Sequence, residues 1–494
     1  MKYFKRNPHI LLLVLIIIFG LFFRAYQLID RFEFAHDGDL YSWIVKDIVV
    51  DGHLRLIGQL TTAPGIFIGP LFYYTLIPFF FLTNMDPVGA VIPIVIIGVL
   101  TVASYYWVFS RIWNKEVGLI ASFLYAVLLG FVYFDRRVVP STPTNIWLIW
   151  FFYAVMMIAQ GRYFVLPILG FLVGLIWHIH IALLPILGII PLAIFFSRKL
   201  PNSRQVILFF VAFLIPSIPL IVFELRHGFS QTISLISNFT VNHGGGTGFD
   251  KFNLITIYIR ADFIREFFYP QGLPYINHQV FFLLLFLPIF FLFKKKILNG
   301  AQLAIFYFWI LLVVIYYSIS SVILSEYYLA TLDIIFLASV ALLLYLLYRS
   351  SIVGQYLTIG LLSLVLVKNL FYFVTVDVYH EGYNERKAVA NFIAEDAKKN
   401  GFPCVAVSYI TTEGRNVGFR YFFWLNGLHV NQPISGSPVY TIVLPPELVS
   451  DAIAAQFGHI GVLLPEKIAS PDKIKESCSG QNANLTDPLF GFTK

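Results

Sequence analysis

The 494-residue chain is 58% hydrophobic and 18% aromatic, with only 12% charged residues and a mean hydropathy of +0.78. No single core could bury that much apolar area, which excludes a water-soluble globule and leaves a polytopic membrane protein. The formal charge of +7 does not mark a nucleic-acid partner, because Lys and Arg occur in short clusters flanking apolar runs, the pattern that sets membrane topology.

The opening stretch MKYFKRNPHILLLVLIIIFGLFF has a basic start and a long apolar run without a small-residue cleavage site. It reads as a retained signal anchor spanning 9–29. Further runs able to cross roughly 30 Å of hydrocarbon lie at 88–109, 117–134, 144–159, 178–196, 205–225, 278–293, 301–320, 328–348 and 352–375. Two runs are ambiguous: 163–176 is short, and 66–83 is interrupted by Gly69, Pro70 and Pro78.

Loop charge decides between them. If 163–176 crosses and 66–83 does not, the loops carrying Arg111 with Lys115, Arg162, Arg198 with Lys199 and Arg204, Lys294 to Lys296, and Arg349 all fall on the cytoplasmic side with the N-terminus. The acid-bearing loops 30–65, 135–143, 226–277 and 321–327 then face outward, as does the C-terminal region. The expected architecture over 1–375 is an all-α polytopic bundle of about 11 to 13 transmembrane helices, with 66–83 as a re-entrant or interfacial helix.

After 375 the pattern changes. NERKAVANFIAEDAKKNG predicts a helix ending at Gly401, PCVAVSY a strand, RNVGFRYFFWLNG a second helix, YTIVLP a strand, PELVSDAIAAQF a third helix and HIGVLL a last strand. Such alternation predicts a small extracytoplasmic α/β domain over 376–494. Cys404 and Cys478, the chain's two cysteines, both fall there. They could pair outside the cell or remain free, whereas two lone cysteines make a poor zinc site.

Asp37 and Asp39 stand one residue apart in FEFAHDGDLYSW, just past the first span, where a carboxylate can stay ionised beside hydrocarbon. They are either solvated loop acids or the acid of a site. Other outward positions favour a polar cavity: Asp135, Arg136 and Arg137, the pair His178 and His180 in IWHIH, Arg226 with His227, and Glu326 before Tyr327 and Tyr328. Each has a plainer role too. Arg136 and Arg137 could snorkel to headgroups, Glu326 could cap a helix, and His178 and His180 diverge on a helix, so joint metal ligation needs a break there. A divalent metal would require Asp37, Asp39, Glu326 and the histidines to converge. The tract NHGGGTGFD at 242–250 reads as a flexible connector or a gate over a site.

The segments HDGDLYSWIVKDIVVDGHLRL, APGIFIGPLFYY and DPVGA resemble the opening of glycosyltransferase family 39 and its bacterial relatives, membrane glycosyltransferases of the GT-C fold that use polyprenyl-phosphate sugars. These include protein O-mannosyltransferases and aminoarabinose transferases. In letters the likeness is specific mainly over 34–90; in layout it extends over most of 1–375. It implies an inverting transferase at the outer face of the cell membrane, with a polyprenyl-phosphate sugar donor and an acceptor hydroxyl on a protein, lipid or glycan. By position the family's catalytic Asp falls on Asp37, while its Glu position is occupied by Gly38, so Asp39 is the remaining second acid. The family's donor-phosphate Lys is replaced around His178 to His180, leaving Arg136, Arg137, His178, His180 and Arg226 as phosphate-binding candidates. A transporter or flippase of lipid-linked sugars, and an oligosaccharide ligase or polymerase, are the competing readings.

Overall fold

In hydrocarbon the backbone has no hydrogen-bond partner but itself, so long apolar runs fold as helices. A computed structural model of the chain describes residues 8–61, 64–240, 244–272, 275–325, 328–450, 452–466 and 468–485. Five of its helices are long and apolar enough to cross a membrane: Pro87–Ile112, Ser203–Arg226, Gly300–Ile319, Ala330–Ser350 and Ile352–Thr375. Shorter apolar helices occupy His9–Ala25, Thr144–Ala159, Tyr163–Ile179, Ile181–Ser197 and His278–Lys294. The expected run at 163–176 is therefore a helix packed in the bundle. Leu71–Leu82 is helical as well, but its 12 residues extend only about 18 Å, well short of the hydrocarbon thickness.

One expected straight span is broken. The run at 117–134 forms two helices, Lys115–Val127 and Leu129–Asp135, bent by 66° at Leu128, whose backbone is extended (φ −71°, ψ 122°). A break inside a bundle frees carbonyls that must find donors. Here Arg24 donates to Tyr125 O and Ala126 O, each at 3.2 Å, and Asn369 Nδ2 donates to Val127 O at 2.9 Å. The same Arg24, fully buried, pairs with Asp135 at 2.6 Å, and Tyr125 Oη donates to the other Asp135 oxygen at 2.7 Å. Gly98 makes room for this guanidinium, since a Cβ there would lie 2.6 Å from Arg24 Cδ.

The long segment 226–277 also departs from expectation. It holds two helices, Ser230–Thr240 and Phe249–Phe268, and the described part of the glycine tract between them is pinned rather than loose. Gly245 N and Gly248 N donate to Ser321 O and Ser318 O, and Lys251 Nζ bridges Gly245 O and Val322 O at 2.7 and 2.6 Å.

Beyond Thr375 the chain builds a five-stranded mixed sheet of β1 (Val405–Thr411), β2 (Val430–Asn431), β3 (Val439–Leu444), β4 (Ala455–Phe457) and β5 (Ile460–Leu463) in the order β2-β1-β3-β5-β4. β1 runs parallel to β2 and β3, in register Ala406 with Val439, and β5 pairs antiparallel with both β3 and β4. The helix Tyr383–Lys399 and the three anticipated strands, present as β1, β3 and β5, are formed, and the RYFFWL helix is shortened to Arg420–Leu425. The helix expected over 446–457 does not form over the described residues of that stretch. Val449 is extended (φ −125°, ψ 148°) after a single 3₁₀ turn, and Ala455–Phe457 is taken up as an edge strand by a tight hairpin at Gly458 (φ +55°). Tertiary pairing overrides local helical periodicity there. Cys404 and Cys478 are joined in a disulfide, with Cα atoms 5.5 Å apart.

The sheet domain and the first loop share one core. Phe34 packs at a tilt against Phe422 (4.7 Å between centroids) and meets Tyr383 edge-on, while Trp43 packs against Tyr421 and Trp424. Asp86 of DPVGA caps its own turn through Val88 N (2.9 Å), accepts from Tyr383 Oη and pairs with Lys387. Replacing Arg24 with Met should cost about 3–5 kcal/mol, because Asp135 is left as an unpaired buried charge. Thermal denaturation in detergent reads this, and Arg24→Met with Asp135→Asn together should recover most of the loss.

Candidate active site

His36–Val49 turns its apolar side, with Tyr41, Ile44, Val45 and Ile48, into the core shared with the sheet domain. Residues two apart on a helix project about 200° apart, so the two acids of HDGD separate. Asp37 opens into a cavity of about 870 Å³. Asp39, 6% exposed, turns away and accepts a hydrogen bond from Tyr421 N at 2.8 Å. The second acid is thus a docking group between loop and sheet domain, not a cavity wall. Between them Gly38 is forced: a Cβ would sit 2.6 Å from the Phe34 ring, so the Glu of the family's pattern has no room while Phe34 holds its core position.

The cavity is walled by the start of His36–Val49, the end of the bent helix with residues 136–141, the end of Phe249–Phe268 and residues 376–379. Arg137, an exposed residue, also lines this wall. Its neighbour Arg136 lines it too, but donates to Phe23 O, Tyr26 O and Gln27 O at 3.0–3.3 Å, capping the C-terminus of the first helix and lying 5.5 Å above the Phe373 ring. Arg31 does the same for the last span through Phe373 O and Val376 O. These two arginines are framework, and Arg137 follows directly after one of them in the wall.

His180 reaches the cavity from the break between Leu166–Ile179 and the following 3₁₀ turn, its Nδ1 accepting from Ala182 N at 3.0 Å. His178 does not. Its Nδ1 accepts from Leu71 N (3.2 Å) and its Nε2 donates to Pro216 O (2.7 Å), with Gly69 against the ring face. That neutral imidazole pins the 66–83 segment to the bundle. The two histidines do not converge, and among the described residues no three His, Cys, Asp or Glu side chains gather at a metal-sized spacing. Arg226 ends its helix exposed and outside the cavity wall, and Glu326 lies outside the described residues. Asp135 is withdrawn into its pair with Arg24.

Arg265 and Glu266 join the wall without having been picked out from the sequence. Arg265 pairs with Asp262 at 2.8 Å and with Glu266 at 3.1 Å. Gly130 admits this helix, because a Cβ there would fall 2.3 Å from Glu266 Oε2 and 2.6 Å from its Cα. The available signal was RADFIREFF, an apolar helix carrying four charges, which a loop assignment conceals.

Burial in the cavity wall raises the Asp37 pKa above the ordinary carboxyl value, only partly offset by neighbouring His36. Burial pushes Asp39 up to about 6, against the pull of the Tyr421 N–H, Arg420 and Trp43. Burial likewise raises Glu266, opposed by Arg265.

No family profile and no curated protein matches the sequence. Among solved structures, ArnT from Cupriavidus metallidurans bound to undecaprenyl phosphate aligns with a TM-score of 0.54 at 12% identity, over 92% of this chain and 98% of that one. Its apo state gives 0.53 at 11%, over 93% and 98%. The chain has the GT-C fold. It is a multi-pass membrane protein with a small C-terminal sheet domain. An oligosaccharyltransferase from Archaeoglobus fulgidus, in complex with Zn and sulfate, shows a fainter likeness, with a TM-score of 0.46 at 12% identity over 87% and 67%.

The pH dependence of docking in this GT-C chain follows from Asp39. Its folded pKa near 6 exceeds the unfolded carboxyl value, so its contribution is full below about pH 4 and fades as pH rises through about 6. Asp39→Asn should match the wild type in melting temperature at pH 4, exceed it progressively up to pH 6 and hold a constant margin above. Parallel curves for the two proteins would contradict this.

Proposed function

We propose that this GT-C protein is an inverting glycosyltransferase that moves a sugar from a polyprenyl-phosphate donor to an acceptor hydroxyl on a protein, lipid or glycan. The observation that carries the reading is that Asp37 lines one cavity together with Arg137, Arg265 and His180. ArnT, whose fold this chain shares, is a structure bound to undecaprenyl phosphate, and a site for a lipid phosphate needs cations of this kind.

The chemistry follows from charge flow. The acceptor oxygen attacks the anomeric carbon on the face away from the phosphate, and its proton passes to the Asp37 carboxylate as the new C–O bond forms. The old C–O bond breaks with its electron pair going to the phosphate oxygen. Arg137 is the principal counter-charge for that developing dianion, since a guanidinium fork matches phosphate geometry. Arg265, already tied to Asp262 and Glu266, positions the opposite wall. A raised pKa makes Asp37 a stronger base once ionised, so activity should climb with pH along a limb set above the ordinary carboxyl value.

The same reading assigns residues 1–375 to catalysis and 376–494 to an extracytoplasmic domain, with the N-terminus cytoplasmic in the cell membrane. The Cys404–Cys478 disulfide supports an oxidising exterior for that domain.

Purified protein incubated with radiolabelled polyprenyl-phosphate sugars should release polyprenyl phosphate. Asp37→Asn should lower the rate at least about 100-fold, the usual worth of a general base, with donor affinity retained. Arg137→Ala should instead weaken donor binding by about tenfold or more. Equal turnover by wild type and Asp37→Asn would remove Asp37 from the mechanism.

A further inference from the structure

A second cavity, of about 790 Å³, lies at the other end of the bundle. Its wall includes Asn114, which starts the helix that bends toward Asp135, and Arg349, which closes the helix that starts at Asp333. Both helices lead from this cavity toward the Asp37 side, so the two cavities occupy opposite membrane faces. No carboxylate lines it, whereas Lys294, Lys296 and Arg349 do.

The remaining polar wall is rich in donors. Asn114 Oδ1 accepts from Val117 N, and Asn299 and Gln302 spend their oxygens on each other's backbone N–H in a capping box. What each amide has left to offer is its NH₂ group. Two helix N-termini, those of Lys115–Val127 and Gly300–Ile319, therefore end here with their positive dipole poles toward the cavity. Trp113, also in the wall, has a buried indole N–H with no acceptor among the described residues.

The rim is apolar and lipid-like in its exposure. Phe290 and Phe291 stand 44% and 47% exposed beside Lys294, and Ile352 and Val353 are each 61% exposed just past Arg349. Three cations and several donors beneath such a rim match an anionic headgroup whose acyl chains lie along the bundle. We infer that this cavity binds a phosphate-bearing anion, supplied by the headgroup of an acidic phospholipid, on the face opposite the Asp37 cavity.

Native mass spectrometry of the full chain, released from detergent containing equimolar phosphatidylglycerol and phosphatidylcholine, tests this. Wild type should retain phosphatidylglycerol over phosphatidylcholine by at least about fivefold, given what each surface cation contributes toward acidic lipid. The triple variant Lys294→Gln, Lys296→Gln, Arg349→Gln should fall to near parity. Lys294→Arg with Lys296→Arg should keep the preference and decides the matter if the triple variant is unfolded. Lys295→Gln, whose amine lies over the Phe291 ring and outside the cavity wall, should behave as wild type. An unchanged preference in the folded triple variant, loss of preference in the arginine pair, or displacement of the lipid by inorganic phosphate would overturn the proposal, the last by showing a free-anion site.

Discussion

The break at Leu128 and the buried Arg24 that stabilises it are the constraint from which the Asp37 cavity follows. A helix interrupted within hydrocarbon leaves carbonyls without partners, at several kcal/mol each if nothing reaches them. Arg24 supplies donors to two of them and Asn369 to a third. The cost of placing a guanidinium at full burial is met by Asp135 at the end of the bent segment. Once that pair is fixed, the next two residues have little freedom. Arg136 caps the first helix, and Arg137 falls in the wall of the cavity that Asp37 also lines.

A second constraint acts from the sheet domain. Phe34, Trp43 and Asp39 of the first loop are held by Phe422, Tyr421 and Trp424, and Asp86 is held by Tyr383 and Lys387. The loop that carries Asp37 is therefore clamped between the bundle and a disulfide-closed domain. This gives the motif residues around Asp37 distinct duties: one acid for the cavity, one for docking, and a glycine between them because an aromatic ring occupies the space a side chain would need.

Much of this was legible in the sequence because hydropathy and loop charge are strong signals over twenty-residue windows, which located the apolar helices and the short one at 66–83. That Asp37 would line a polar cavity was expected from its motif. What was lost depended on tertiary partners. The bend at Leu128 has no Pro to announce it, the nearby Gly130 packs against Glu266 rather than marking a turn, and Arg24, which holds the freed carbonyls, lies a hundred residues away in sequence. Ala455–Phe457 has helical periodicity yet joins a sheet edge, and the charges of RADFIREFF are ordinary for an outer loop until Gly130 lets that helix close on the cavity. His178 and Arg226 match the residue types for phosphate binding, but His178 has both ring nitrogens committed and Arg226 stands outside the wall.

The central claim is that the position of Asp37 opens to the outer side of the membrane inside a donor-binding cavity. Because Cys404 and Cys478 are paired, Asp37→Cys supplies a single free thiol for a membrane-impermeant maleimide applied to sealed, oriented vesicles. The account predicts labelling from the outer face alone, slowed severalfold by added polyprenyl phosphate. Labelling only from the cytoplasmic face, or outer labelling at a rate that polyprenyl phosphate does not change, would contradict it.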